Sequence, residues 1–540
     1  MQTAPASGLR RFGRLIGLGL LAAAPLHAAA AAAASEPADP NRFGSSGVTV
    51  VKPGDIVPPK LVPACKPGQC PFAGHSVTIL MPKSVIAVSV IELKDEFEAA
   101  TGARLNIVQV PSLDLFDNFY SDVANGIGKY DALLASAWWL GELVAGDYIV
   151  AYDRYYNDRR FPKWNIDDVL AAPRALLSYG GRKYMVANDH DGQVMYYRRD
   201  LLADPRHRQA FAQKYGYALD VPKTWLQFRD VAEYFNGRDF NGDGVPGHGV
   251  TIALKAGNQG MFHFMSLSAP FVIGPTNPKL YWFDPHSMKP LLESPGHVRA
   301  LTMLVELVRF GPHEMLSWES GKNWDYFLAG RAALTITWGD LGALAQQEGS
   351  KVKGKVGVAH LPGTREYYSL TTGKWLRGDT PNRVGNTTGG SWGGVISKRA
   401  KSPEATYYLL ALMATREKSL VYAARGGDGI DPGRSFHFLP PDGSAKIDDY
   451  LKALWNPADV RDYLHAYHDN FSNPLQLPYL RIPGTYSYLQ SLNLHVAEAV
   501  GGQASPQSAL HATAIDFEEI TLRIGRDAQR RAYRTSLGLP

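Results

Sequence analysis

At 540 residues, the chain is long enough for about two to four domains. With 45% hydrophobic and 20% charged residues it is too apolar for wholesale disorder. The net charge is +5; three of the positives, Arg10, Arg11 and Arg14, precede any acid, and no Lys/Arg block follows, which argues against a nucleic-acid or electrostatic membrane surface.

The first 34 residues read as an export signal. The arginines form a basic start, residues 15–26 are apolar, and an Ala tract offers small-residue cleavage points at Ala28 and Ala34. The apolar part is short for a membrane span of ~20 residues. Export places the mature chain in the periplasm. Residues 35–75 form a Pro-rich leader with the only two cysteines, Cys65 and Cys70. In an oxidising compartment these read as a small-loop disulfide.

From residue 76 strands alternate with helices. Residues 76–81 (SVTILM), 105–110 (LNIVQV) and 130–135 (YDALLA) read as buried strands. Ile86, Val90, Leu93 and Phe97 share one helix face, which Gly102 ends. Residues 115–124 and 140–145 read as helices. Later strands are expected at 193–197, 333–337, 356–359 and 394–397. Helices are expected at 225–235, 296–310 and 404–414, and through most of 486–537. Strands separated by helices imply an α/β fold with mainly parallel sheets. In such sheets ligands sit beyond the carboxyl ends of the strands. Those ends hold Ser84, the pair Trp138-Trp139, and Trp338 with Asp340.

Residues 239–250 begin like a calcium loop. Asp239, Asn241 and Asp243 stand at positions 1, 3 and 5, with Gly244 at 6 and the Val245 carbonyl at 7. Position 12 is Val250 rather than Glu. Two readings stay open: a structural calcium site, or a plain polar turn. No other cofactor is expected. The chain carries no G-x-S-x-G, H-E-x-x-H or Walker A motif, so no catalytic carrier stands out.

The linear order of these signals resembles the extracellular solute-binding proteins of ABC importers, in the family 1 group that binds sugars and polyols. Carrying phrases include Glu96-Phe97-Glu98 with Thr101-Gly102, Tyr130-Asp131-Ala132-Leu133-Leu134, Asp191-Gly192 with Tyr196-Tyr197-Arg198-Arg199-Asp200-Leu201, and Gly389-Gly390-Ser391-Trp392-Gly393-Gly394. The resemblance implies two lobes that close on a ligand by hinge motion, and a monomer that hands its solute to a membrane permease. Lobe one would be 76–190 plus 338–410. Lobe two would be 195–335 plus 420–540, with crossings near 190–195, 338 and 410–420. Sugar rings have apolar faces and polar edges, so Trp138, Trp139, Trp338 and Trp392 are the stacking candidates. Ser84, Asp189, Asp191, Gln193 and Asp340 are the polar candidates, with Asn258, Gln259 and Asp428 as weaker ones. The competing readings are the same fold for another small solute, a secreted carbohydrate-active enzyme, and a sensor subunit.

Overall fold

The structure is a computed structural model and describes residues 56–539 except Gly389, Gly390 and Asp428. The expected signal segment, the leader up to residue 55 and the weaker candidate Asp428 lie outside the described residues. No described helix is long and apolar enough to cross a membrane.

Two mixed sheets organise the chain, both within one compact unit. The first is built on Ser76–Pro82, which pairs in parallel with Arg104–Val110 and with Ala132–Ser136. Val77, Ile79, Leu80 and Met81 are all fully buried, so this strand is covered on both faces. Helix Lys94–Thr101 crosses over between the first two strands and ends at Gly102, whose φ of 73° suits glycine. The sheet is completed by Trp392–Ser397, which returns from far along the chain and runs antiparallel to Ala132–Ser136, Ile149–Val150 and Val186–Ala187. The second sheet has Val194–Arg198 antiparallel to both Ala332–Thr337 and Val356–Ala359, with His248–Thr251 parallel to Ala332–Thr337. The expected parallel pairing holds for the first three strands and for His248–Thr251 with Ala332–Thr337, and the remaining pairs of both sheets are antiparallel. Strands that cross between the sheets enter the second one reversed, and alternation of elements alone does not reveal that.

The first crossing is the short segment between Val186–Ala187 and Val194–Arg198, close to the expected 190–195. The second does not lie near 338, because Val356–Ala359 pairs in the second sheet. The chain passes back only between 359 and 392, by way of an antiparallel hairpin, Thr364–Ser369 with Lys374–Asn382. The third crossing also falls later than 410–420. Helix Arg416–Arg425 still packs on the first lobe, with Tyr422 Oη donating to the Ser89 carbonyl at 3.2 Å. The later helix Pro457–Ser472 lies against Val356–Ala359 and Val194–Arg198. The tail is not confined to lobe two either: helix Arg526–Ser536 touches Leu140–Ala145.

Cys65 and Cys70 form a disulfide. The described part of the leader docks along helix Lys94–Thr101. Leu61 and Val62 N–H donate to Glu96 Oε1 at 2.7 and 3.1 Å, and Cys65 N–H donates to the Ala99 carbonyl at 2.9 Å. Lys418 Nζ ties the arrangement together, donating to Glu96 Oε2 at 2.5 Å and to the Pro59 carbonyl at 2.8 Å. Both charged side chains are buried. Removing one partner of such a pair leaves an uncompensated charge, so Lys418→Met should lower unfolding stability by about 3 kcal/mol. Denaturant titration checks the loss, and limited proteolysis should then cut ahead of Cys65; an unchanged midpoint would mean the pair does not hold the leader.

Candidate functional site

The strand Ala132–Ser136 runs into a tight turn, Ala137–Trp139, and then a helix, Leu140–Ala145. That turn sends the two adjacent indoles in different directions. Trp139 is buried against Phe116 (5.3 Å) and edge-on to Trp392 (5.9 Å, 81°). Trp138 stays half-buried and faces a cavity. Trp392 reaches the same cavity because the returning strand sets it directly opposite Ser136. At the end of Ala332–Thr337, Trp338 is held by its indole N–H donating to Thr388 Oγ1 at 3.1 Å and packs edge-on to Phe262 (5.8 Å, 82°). Thr388 has φ 48°, a left-handed conformation that a β-branched residue seldom adopts.

The cavity has a volume of about 240 Å³. One wall comes from the first sheet, through Ser136, Trp138 and Trp392. The other comes from the second lobe, through Phe262, Trp324, Trp338 and Asp340. Asp191 and Thr388 belong to the crossing segments. The structure thus brings five of the nine expected residues to one cavity: Trp138, Asp191, Trp338, Asp340 and Trp392. Three lie behind it. Trp139 is core. Gln193 is fully buried, with its Oε1 accepting from Ser266 Oγ at 2.6 Å. Asp189 is fully buried in the layer beneath. Ser84 is exposed and is not part of the cavity wall. Trp324 is a wall residue the sequence did not single out; its indole N–H donates to Thr337 Oγ1 at 2.7 Å. Gln259 also reaches the wall, hydrogen-bonded to Ser320.

Asp431 was likewise not anticipated. Its carboxylate accepts from the Gly339 N–H at 3.1 Å and from the hydroxyls of Tyr463 and Tyr467 at 3.2 and 2.6 Å. Its own N–H donates to Asp189 Oδ1 at 2.8 Å. A Cβ at Gly339 would lie 2.1 Å from Asp431 Oδ1, so only glycine allows this approach. Carboxylate oxygens of Asp189, Asp191 and Asp431 lie within 4.8 Å of one another. Burial, reinforced by the neighbouring carboxylates, pushes Asp189, Asp191 and Asp340 well above the ordinary carboxylate range. Burial raises Asp431 too, but its donors hold it to about 6.

In the 239–250 loop the expected metal-ligating oxygens of Asp239, Asp243 and Val245 are bonded within the protein. Asp239 accepts four backbone N–H groups of its own turn, from Asn241, Gly242, Asp243 and Gly244. Asp243 pairs with the Arg331 guanidinium at 2.8 Å, which also reaches the Val245 carbonyl at 3.2 Å. Asn241 turns its amide N–H towards the Ala329 carbonyl at 3.3 Å. The Arg331 guanidinium thus engages two of the expected ligands, Asp243 and the Val245 carbonyl, as in a polar turn.

A family profile described as bacterial extracellular solute-binding protein matches residues 92–434. The chain belongs to this family. A probable ABC transporter-binding protein of Deinococcus radiodurans is 24% identical over 323 residues, which is 56% of this chain and 67% of that protein. Among solved structures, the solute-binding protein of Agrobacterium radiobacter K84, in complex with ribitol, is similar at 20% identity and a TM-score of 0.62 over 83% of this chain and 100% of that one. That of Agrobacterium vitis S4, with D-mannitol bound, gives 20% identity and 0.60 over 84% and 99%. A maltose-bound protein of T. maritima gives 18% and 0.60 over 83% and 100%. The fold is the two-lobed α/β fold of periplasmic binding proteins, and the cavity lies between the two sheets that define its lobes.

Two outcomes test this geometry. Millimolar calcium or a chelator should leave the melting temperature unchanged; a calcium-dependent rise lost in Asp239→Asn would restore the metal reading. The carboxylate cluster predicts a pH signature. A carboxyl raised on folding stabilises most when protonated, and that contribution is lost as pH rises through the folded value. For Asp431 the window runs from its ordinary 3.8 to about 6. Buried His190, His263 and His437, lowered by burial, act in the opposite sense, so the comparison must be made as a difference between variants. Asp340→Asn should raise the melting temperature near neutral pH by on the order of 2 °C, a gain that shrinks on acidification. Scanning calorimetry across pH measures it, and no gain at neutral pH would mean the cluster's charge is already balanced.

Proposed function

We propose that the protein captures a sugar or polyol in the cavity between its lobes and delivers it to the membrane permease of an ABC importer. On this reading the first 34 residues are removed on export and the mature chain works in the periplasm. It acts as a monomer, by closure rather than by chemistry, and needs no cofactor. The observation that carries the reading is the cavity itself. Flat indoles of Trp138, Trp338 and Trp392 offer faces for C–H surfaces, and Asp191 and Asp340 supply acceptors at the edges. Its volume is below the roughly 300–1,000 Å³ of sites for drug-sized ligands, which suits one ring or one short chain. The ligands named with the similar structures, ribitol, D-mannitol and maltose, point the same way.

Closure requires the two sheets to move about the three crossing segments, and the segments around Asp189–Asp191, Trp338–Asp340 and Asp431 are the hinge-side wall. A solute seated there touches both lobes at once and so favours the closed form.

A thermal-shift screen of the purified protein against sugars and polyols, confirmed by calorimetry, tests the reading. One solute should bind, and Trp138→Ala should weaken it about tenfold, the value of one aromatic face. Trp138 is half-buried, so its truncation spares the core. A hit unaffected by Trp138→Ala would move binding away from this cavity. Turnover of a glycoside, abolished by Asp191→Asn, would replace the transport reading with an enzyme.

A further inference from the structure

The cavity is unusual in its charge. Asp191 and Asp340 front it, and Asp189 and Asp431 stand directly behind. No lysine or arginine is part of its wall among the described residues. Asp189 is fully buried, and its Oδ2 finds no hydrogen-bond partner among the described residues. The charges that act on Asp189, Asp191 and Asp340 are other carboxylates. Nearby His190 and His263 are held neutral at neutral pH, since burial pushes both down to about 3. The remaining wall is aromatic: Trp138, Trp324, Trp338, Trp392 and Phe262.

Sugar hydroxyls can be bound by one or two carboxylates. Here four stand close together, two of them fully buried, with no cation on the wall to offset them; ionising them all brings mutual repulsion that costs stability in the empty protein. Two kinds of group on this wall attract a positive charge. Indole faces attract cations through their π-electron density, most strongly when water is excluded. Carboxylates form charge-assisted hydrogen bonds to ammonium, roughly twice as strong as neutral ones. A ligand nitrogen carrying charge would meet both at once and relieve the repulsion.

Resting on the sugar or polyol reading above, the structure assigns to this cavity a solute that carries a positively charged nitrogen, an amino sugar or amino polyol rather than a neutral one. The ammonium sits between Asp191 and Asp340, and the carbon skeleton lies against the indoles.

Calorimetry on the purified protein near neutral pH tests this with matched pairs: glucose against glucosamine, and sorbitol against 1-amino-1-deoxysorbitol. Calcium chloride alone forms a third arm. The amine member should bind about tenfold tighter or better than its neutral partner, and Asp340→Asn and Asp191→Asn should each collapse that ratio towards one, the ratio rather than either absolute affinity being the readout. Both variants should melt at or above the wild type, so their loss of preference is not a loss of fold. A neutral member that binds as tightly as its amine counterpart overturns the charge assignment and leaves the sugar or polyol reading standing. Calcium binding on its own, abolished by Asp189→Asn, overturns it in favour of a metal site. No binding by any member of either pair counts against both readings.

Discussion

A single buried carboxylate, that of Asp431, holds the centre of the molecule. It gathers the end of a second-sheet strand through Gly339 and a C-terminal helix through Tyr463 and Tyr467, while the backbone N–H of the same residue donates to Asp189 in the first crossing. Each bond is to a group that is itself buried. The carboxylate therefore sits in a low-dielectric place, where satisfied hydrogen bonds are strong and unsatisfied ones costly. Gly339 supplies the room for this approach.

The cavity follows from that knot. Fixing 188–193 beside 338–340 sets Asp191 and Asp340 on the same wall, and the antiparallel return of Trp392–Ser397 brings Trp392 opposite Ser136. The first lobe gives Trp138 and the second gives Trp324 and Phe262. A solute there bridges wall residues of both lobes. The same arrangement concentrates carboxylates, so the empty site stores electrostatic cost that an occupant can relieve. Far from this centre, the buried Lys418–Glu96 pair keeps the leader on the first lobe without entering the site.

Much of this was legible in the sequence because it is local. Helices Leu115–Ala124, Leu140–Ala145 and Trp225–Phe235 have the bounds their apolar spacing and flanking residues imply. Trp138, Trp338, Asp340 and Asp191 could be placed near a site because each follows a strand or lies in a crossing. What could not be read depends on partners far along the chain. The sequence places Trp138 and Trp139 alike, and only packing against Phe116 and Trp392 separates the core indole from the wall indole. Gln193 looked like a cleft residue, yet its amide is used up by Ser266 and His263. Asp431 sits in a Gly-rich loop whose burial no local pattern announces. The loop 239–250 has the oxygen spacing of a calcium site, but Arg331, nearly ninety residues later, claims its acceptors. The reversed strand directions and the late crossings depend on the pairing of Val356–Ala359, which is equally non-local.

Hydrogen exchange followed by mass spectrometry, with and without the tightest-binding solute, tests the central claim most directly. The account predicts added protection in the segments that build the cavity, 136–140, 188–193, 259–262, 320–324, 338–340, 386–388 and 391–392, together with Asp431 and its neighbours 430–433. Protection confined to another surface, such as the cleft around Tyr217, Trp225 and Arg365, with these segments unchanged, would contradict it.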